Sequence, residues 1–261
     1  MNLDVIPVLS KCDRCPVHHR ALCAGATPQV LDQLARISNT RHYKAGQVIL
    51  SEGEPAPFVA NVVSGVVRLT KMLIDGREQV VGLLFPSDFV GRAFAEIGSS
   101  TAEAATDVEL CCFDKARFDA ILAANPSLEH HFLVRVLDEL DAAREWMLLL
   151  GCKTAREKVA SFLLLLARRA ANIGCGRNLA SAGTVFEIPV GRSDVAGYLG
   201  MTIETVSRQI SDLKARGIIR LLDARHFAVD DLDQLAETAG MDEVDVHLQP
   251  ALPSASGKRG A

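Results

Sequence analysis

The sequence predicts an α+β chain in which an antiparallel β-roll is followed by one long helix and then by a winged helix-turn-helix. Three observations predict it. Between about Tyr43 and Phe113, short apolar runs alternate with glycine-centred breaks; Leu128 to Gly151 runs without proline or internal glycine; and two helix-like segments flank Gly200-Met201, ahead of two short strand-like runs.

At 261 residues and 49% hydrophobic content, the chain is long enough for two medium-sized cores. No apolar run reaches the ~18 residues of a membrane span, and Phe162 to Ala167, the longest candidate, is closed by Arg168 and Arg169. Residues 1–11 carry Asp4 and Pro7 early and lack a positive start followed by an apolar stretch, so no secretory signal is expected. The expected compartment is the cytoplasm. A net charge of −4 argues against indiscriminate coating of nucleic acid, which depends on neutralising phosphates. Specific DNA binding stays open, because Lys and Arg slightly outnumber Asp and Glu between Pro189 and Asp230.

In chain order, Thr27-Pro28 reads as a helix cap and first-turn proline, with Val30, Leu31, Leu34 and Ile37 following at helical spacing. The roll comes next. Ile74-Asp75-Gly76-Arg77 sits between Val66–Leu73 and Glu78–Phe85, an Asp-Gly pair between strand-like runs that signals a hairpin. In the long helix, Leu133, Val136, Leu140, Ala143, Met147 and Leu150 alternate steps of three and four, while Leu137, Leu148 and Leu149 lie off that seam. Either the helix packs inside one subunit or the seam is a dimer axis. Asp141 and Arg144 are polar intrusions suited to water or to a partner. Thr154-Ala-Arg-Glu157 is a capping-box pattern ahead of Val159, Phe162, Leu163 and Leu166. Val185 to Val190 then alternates like a strand; Ser193–Leu199 and Thr202–Arg216 form two helices, with Gly217 closing the second; Ile218–Leu222 and His226–Val229 form the wing. The expected division is a cysteine-rich arm (1–27), a β-roll (28–127), a dimerisation helix (128–153), a DNA-binding domain (154–240) and a disordered tail (241–261).

A helix-turn-helix presents the start of its second helix to the major groove. Glu204, Ser207 and Arg208 share one face there, with Ile203, Val206, Ile210 and Leu213 expected on the opposite one. Arginine can donate twice to guanine, glutamate can accept from the cytosine amino group, and serine serves several bases. Taken singly, Glu204 is simply favourable near a helix N-terminus and Arg208 is an ordinary solvated residue. The turn glycine, the capped helix and the wing together point to double-stranded DNA.

Seven cysteines in a chain without an export signal point to thiols, metal ligation or redox chemistry. Cys12-x2-Cys15-x7-Cys23 clusters three of them, one short of a closed four-thiolate site; Cys111 and Cys112 are candidates for the fourth ligand. Structural zinc is a rival, since His18 and His19 lie inside the arm. A thiol redox pair at Cys12 and Cys15 is a second rival, although the βαβ setting of such motifs is missing. Cys152 and Cys175 read as incidental or buried thiols. Paired carboxylates, a nucleophile–base arrangement and a phosphate loop are all lacking, so the chain is not expected to be an enzyme.

The segment Asp194-Val-Ala-Gly-Tyr-Leu-Gly-Met-Thr-Ile-Glu-Thr-Val-Ser-Arg-Gln-Ile resembles the CRP/FNR family of bacterial regulators, and the likeness extends over all but the tail. It implies a cyclic-nucleotide-binding-like roll, a dimerisation helix and a winged helix in the order read above. The Glu-x-x-Ser-Arg arrangement is similar to that of the FNR branch, which implies that Glu204, Ser207 and Arg208 read TTGAT half-sites in an inverted repeat. The resemblance also implies a homodimer, RNA polymerase as a further partner, and an oxygen-labile [4Fe–4S] cluster held by Cys12, Cys15, Cys23 and a cysteine of the roll. Counting back from Asn125-Pro126 assigns that role to Cys111, leaving Cys112 on the opposite strand face as a core thiol. Seven residues separate the second and third cysteines where the best-known FNR arm has five; the longer spacing resembles the FnrL and FnrN regulators of alphaproteobacteria. Members of the family that bind cyclic nucleotides carry Gly-Glu-Leu and Arg-Ser segments. Here Gly91 to Ala104 offers no arginine at the phosphate position, so no cyclic nucleotide is expected.

Overall fold

A computed structural model describes Cys12, residues 14–172 and residues 183–241. The expectations for Cys175 and for the tail from residue 242 lie outside the described residues. Two compact units are present: one reaches to Lys71 and resumes over Gly82–Val136, and the other comprises Met72–Val81 and the residues from Leu137.

In the first unit the arm folds as successive tight turns. Cys15 N donates to Cys12 O at 3.1 Å, Arg20 N and Ala21 N both donate to Val17 O, and a single 3₁₀ turn covers Leu22–Gly25. Val17, Ala21 and Leu22 are buried and tie the arm down. Helix α1 (Pro28–Ile37) begins as expected, with Thr27 Oγ1 accepting from Val30 N and proline in the first turn. It runs directly into β1 (Ser38–Tyr43), so the strands start earlier than the sequence pattern suggested.

The roll consists of two four-stranded antiparallel sheets. One has the order β1, β8 (Val108–Asp114), β3 (Phe58–Ser64), β6 (Phe89–Val90); the other has the order β2 (Val48–Leu50), β7 (Thr101–Ala104), β4 (Val67–Met72), β5 (Glu78–Leu84). The Asp75-Gly76 hairpin joins β4 and β5, with Gly76 N donating to Leu73 O. Period-two alternation sorts β3 and β8 between two cores. Phe58, Ala60, Val62, Leu110 and Cys112 point into the roll interior. Val59, Phe113 and the half-buried Cys111 face outward, where Leu22, Leu34, Phe118, Leu122 and Leu128 cover them. Phe89 and Phe113 each stand 5.6 Å from Phe118, and Phe89 is 5.5 Å from Phe132, within the range for favourable aromatic pairs.

Helix α2 (Lys115–Ala124) is capped by Asp114, whose Oδ1 accepts from Arg117 N at 3.1 Å. Helix α3 (Pro126–Cys152) starts two residues before the expected 128–153 span and ends one residue before its close. Its first turns close over the arm. Arg135 donates to the carbonyl of Arg20 at 2.8 Å and to that of Ser87 at 3.2 Å. Gly25 abuts His131 so closely that a Cβ built on it would lie 2.4 Å from the imidazole Cγ.

In the second unit, Trp146 near the end of α3 stacks on Tyr198 at 5.7 Å and donates to its carbonyl at 3.2 Å. The capping box of α4 (Ala155–Asn172) forms reciprocally: Thr154 N donates to Glu157 Oε2 at 2.7 Å and Glu157 N to Thr154 Oγ1 at 3.4 Å. Val159, Phe162, Leu163 and Leu166 are all buried, as their spacing predicts. Helices α5 (Arg192–Leu199) and α6 (Ile203–Ala215) follow the three-stranded sheet's first strand, β9 (Thr184–Glu187). That sheet has the order β10 (Arg220–Leu221), β11 (His226–Val229), β9, and α7 (Leu232–Thr238) follows it. Strands β9 and β10 are shorter than expected. Val190, Ile218 and Ile219 are buried outside the strands and serve the core, while Ile188 is buried and its N–H still donates to Arg225 O at 2.9 Å.

Two consequences are measurable. Thr154→Ala removes one half of the capping box and is expected to destabilise the protein by about 1 kcal/mol, read as a lower urea midpoint at unchanged slope. Gly25→Ala drives a methyl group into His131 and is expected to release residues 14–26, read as faster amide exchange there with the roll strands still protected.

Candidate functional site

Two sites emerge, one in each unit. In the second, the turn between α5 and α6 is closed by Gly200 at φ +62°, a left-handed conformation that glycine adopts without strain. Met201 N donates to Ala196 O, and Thr202 caps α6 by accepting from Thr205 N at 3.2 Å. Val206, Ile210 and Leu213 are buried, as expected. Ile203 is a correction: it is 46% exposed, because the first turn of α6 stands clear of the core that Val206 enters.

Glu204, Ser207 and Arg208 are all exposed, at the three- and four-residue spacings that share a helix face. Glu204's own backbone N–H and the Thr202 hydroxyl hold its carboxyl below the usual carboxylate range, so it is an anion at neutral pH. Arg208 Nη2 lies 3.5 Å from Thr205 Oγ1, a long contact that leaves the rest of the guanidinium open to solvent.

Sequence reasoning missed what steadies these residues. Asp212 accepts from Arg216, which follows the last residue of α6, and from Arg156 on α4, each at 3.0 Å, tying α6 to α4. In the wing turn, Asp223 accepts from Arg225 N at 2.8 Å, from His226 N at 2.9 Å and pairs with His226 Nδ1 at 2.7 Å; the two backbone donors lead in pulling its carboxyl down to about 2. An aspartate two and three residues before those amides is a legible Asx-turn signal. Arg220 pairs with Asp230 across the wing at 2.6 Å.

In the first unit, Cys23 and Cys111 pack against the same apolar face of the roll although they lie far apart in sequence. Burial pushes the Cys23 thiol up to about 12, and the charges of Cys12 and Cys15 add to the shift. Burial likewise pushes Cys111 up to about 12, followed by the charges of Cys23, Cys15 and Cys12. These four thiols therefore share one electrostatic neighbourhood. Cys112 is buried in the roll interior, on the other side of β8, and desolvation raises its thiol to about 11. As the side chains stand, among the described residues no three or more His, Cys, Asp or Glu groups are arranged to hold a metal ion. His18 Nδ1 is engaged by the Cys15 carbonyl at 2.9 Å.

One neighbour had no sequence signal at all. Asn61 Nδ2 donates to Cys23 Sγ at 3.6 Å. Asp141 and Arg144, the polar intrusions on α3, pair with each other at 2.7 Å in solvent. On that helix Leu133, Val136, Leu140 and Met147 are all exposed, and Met147 is 61% accessible.

Known proteins resemble the chain over most of its length. Residues 40–125 match the cyclic nucleotide-binding domain family, and residues 157–238 match the Crp-like helix-turn-helix domain family. The chain is 45% identical to the transcriptional activator protein FnrL of Cereibacter sphaeroides, over 93% of this chain and 97% of that protein. It is 35% identical to the nitrogen fixation regulation protein FixK of Bradyrhizobium diazoefficiens, over 81% of this chain and 86% of that one. The solved structure of FixK2 from Bradyrhizobium japonicum superposes with a TM-score of 0.69 at 33% identity, covering 77% of this chain and 97% of that chain. These relatives are regulators and not enzymes. With an antiparallel sheet core, a long helix and C-terminal helices that match the FixK2 structure, this chain belongs to the CRP/FNR family of DNA-binding transcription regulators.

Proposed function

We propose that the protein is an oxygen-responsive, cytoplasmic transcription activator of the FNR type, working as a homodimer on palindromic DNA. In this reading Cys12, Cys15, Cys23 and Cys111 hold a [4Fe–4S] cluster. The observation that carries it is the meeting of Cys23 from the arm with Cys111 from β8 on one apolar face. The donor set fits the group: four soft thiols, of which Cys23 and Cys111 are desolvated, with one amide N–H already directed at a sulfur. Bound there, the cluster would supply a centre that oxygen can oxidise.

The residues of the chain account for the rest. Ligation would hold residues 12–23 against the outer sheet, where Val17, Ala21 and Leu22 already anchor them. The exposed stripe Leu133, Val136, Leu140 and Met147 carries coiled-coil spacing and is large and apolar enough to require cover, which a second copy of α3 supplies. Two-fold symmetry then sets two α6 helices on half-sites about one helical turn apart. Glu204, Ser207 and Arg208 would read TTGAT-like sequence, and RNA polymerase is the expected partner of an activator. A cyclic nucleotide does not suit this roll: its interior is lined by Leu50, Ala60, Val62, Ala102 and Leu110, and Arg92 of the 91–104 segment is exposed.

Protein purified without oxygen is expected to be brown, to contain iron and sulfide, and to bleach in air; colourless protein containing zinc would sink the reading. Cys23→Ser is expected to abolish both the colour and operator binding under anaerobic conditions. Leu140→Glu should leave a monomer in anaerobic sedimentation, with operator binding lost. Arg208→Ala is expected to weaken specific binding by about 1–3 kcal/mol, roughly 5- to 150-fold, and to relax selectivity at one base pair, as read by titration against singly substituted operators.

A further inference from the structure

Strand β3 is buried on both sides, and its side chains alternate between the roll interior and the arm. Phe58, Ala60 and Val62 take the interior, while Val59 and Asn61 take the arm side. An asparagine at such a position is costly. Asn61 is only 2% exposed, and its Oδ1 is buried without a hydrogen-bond partner. A buried acceptor left unmet forfeits the hydration it had in the unfolded chain, and an apolar side chain of matching shape would avoid that cost.

Its position explains what the asparagine is for. Asn61 lies directly opposite Cys111 in the β3–β8 register, where opposed residues share a face and sit roughly 5 Å apart at Cβ. Its Nδ2 donates to Cys23 Sγ at 3.6 Å. A single carboxamide thus stands between the sulfur carried by the arm and the sulfur carried by the strand.

We propose that Asn61 is a positioning residue for the cysteine centre. Its amide N–H fixes the Cys23 sulfur beside Cys111 and draws negative charge from it. The proposal rests on the cluster reading above. Hydrogen bonds to ligating sulfur favour the more negative, reduced state and so raise the reduction potential. Partners just outside the ligands also orient them, and their removal typically weakens metal retention 10- to 100-fold. Without the Asn61 amide, the centre should give up an electron to dioxygen more readily and release iron faster.

The test uses full-length protein loaded anaerobically and compares wild type, Asn61→Leu, Asn61→Asp and Val59→Ala. Leucine removes both polar atoms, aspartate keeps the shape without the donor, and the Val59 variant loosens the same packing without touching sulfur. Three quantities are read: reduction potential, rate of iron transfer to a chelator without oxygen, and melting of the metal-free protein. The expected result is a more negative potential and at least tenfold faster iron loss in both Asn61 variants, with metal-free Asn61→Leu as stable as wild type or more so. Val59→Ala should lower the melting temperature and leave the potential in place. Wild-type potential and iron retention in the Asn61 variants would overturn the proposal, and Asn61→Asp decides alone if the leucine variant does not fold. If the wild type itself takes up no iron and sulfide, the cluster reading falls and takes this inference with it.

Discussion

The apolar seal between the arm and the outer face of the first sheet is the constraint on which the cysteine site depends. Leu22, Val59, Phe113 and Phe118 close it, and Cys23 and Cys111 sit at its edge. Because the seal is built from carbon, it does not need a ligand to form. It sets the desolvation that raises both thiols, and it brings residues from the two ends of the unit into one neighbourhood. Backbone packed in this way is ordered by the seal itself, so the entropic cost of bringing these thiols together is met by apolar burial.

The fold was largely legible because its signals are local. Thr27-Pro28, the Asp75-Gly76 hairpin and the Thr154–Glu157 box each encode their own geometry within a few residues, and each appears as read. The assignment of Cys112 to the core combined the resemblance, which pointed to Cys111 as the ligand, with strand alternation, which β8 obeys. Where the reading slipped, the cause was tertiary. Ile203 has the right spacing for the buried face of α6, but spacing cannot tell where the covering element ends. Ile218 and Ile219 look like strand residues and instead fill the core, since burial and pairing draw on the same residue types.

The sites were legible to different depths. Glu204, Ser207 and Arg208 could be named because a helix presents three- and four-residue neighbours together. Their supports, Asp212 reaching to Arg156 and Asp223 folding over the wing turn, were not named. Asn61 was out of reach altogether. Its meaning depends on a sheet register with Cys111 and on the path of an arm nearly forty residues upstream, and no local pattern marks either.

Arg135 gives the first unit a mechanical property of its own. One guanidinium grips the carbonyl of Arg20 in the arm and that of Ser87 in the loop before β6, and in sequence Arg135 falls between the exposed Leu133 and Val136 of α3. The arm and the long helix are therefore joined through a single side chain. A displacement of residues 14–26 would therefore reach α3 without crossing the body of the roll, its transmission set by two hydrogen bonds rather than by the stiffness of a whole domain.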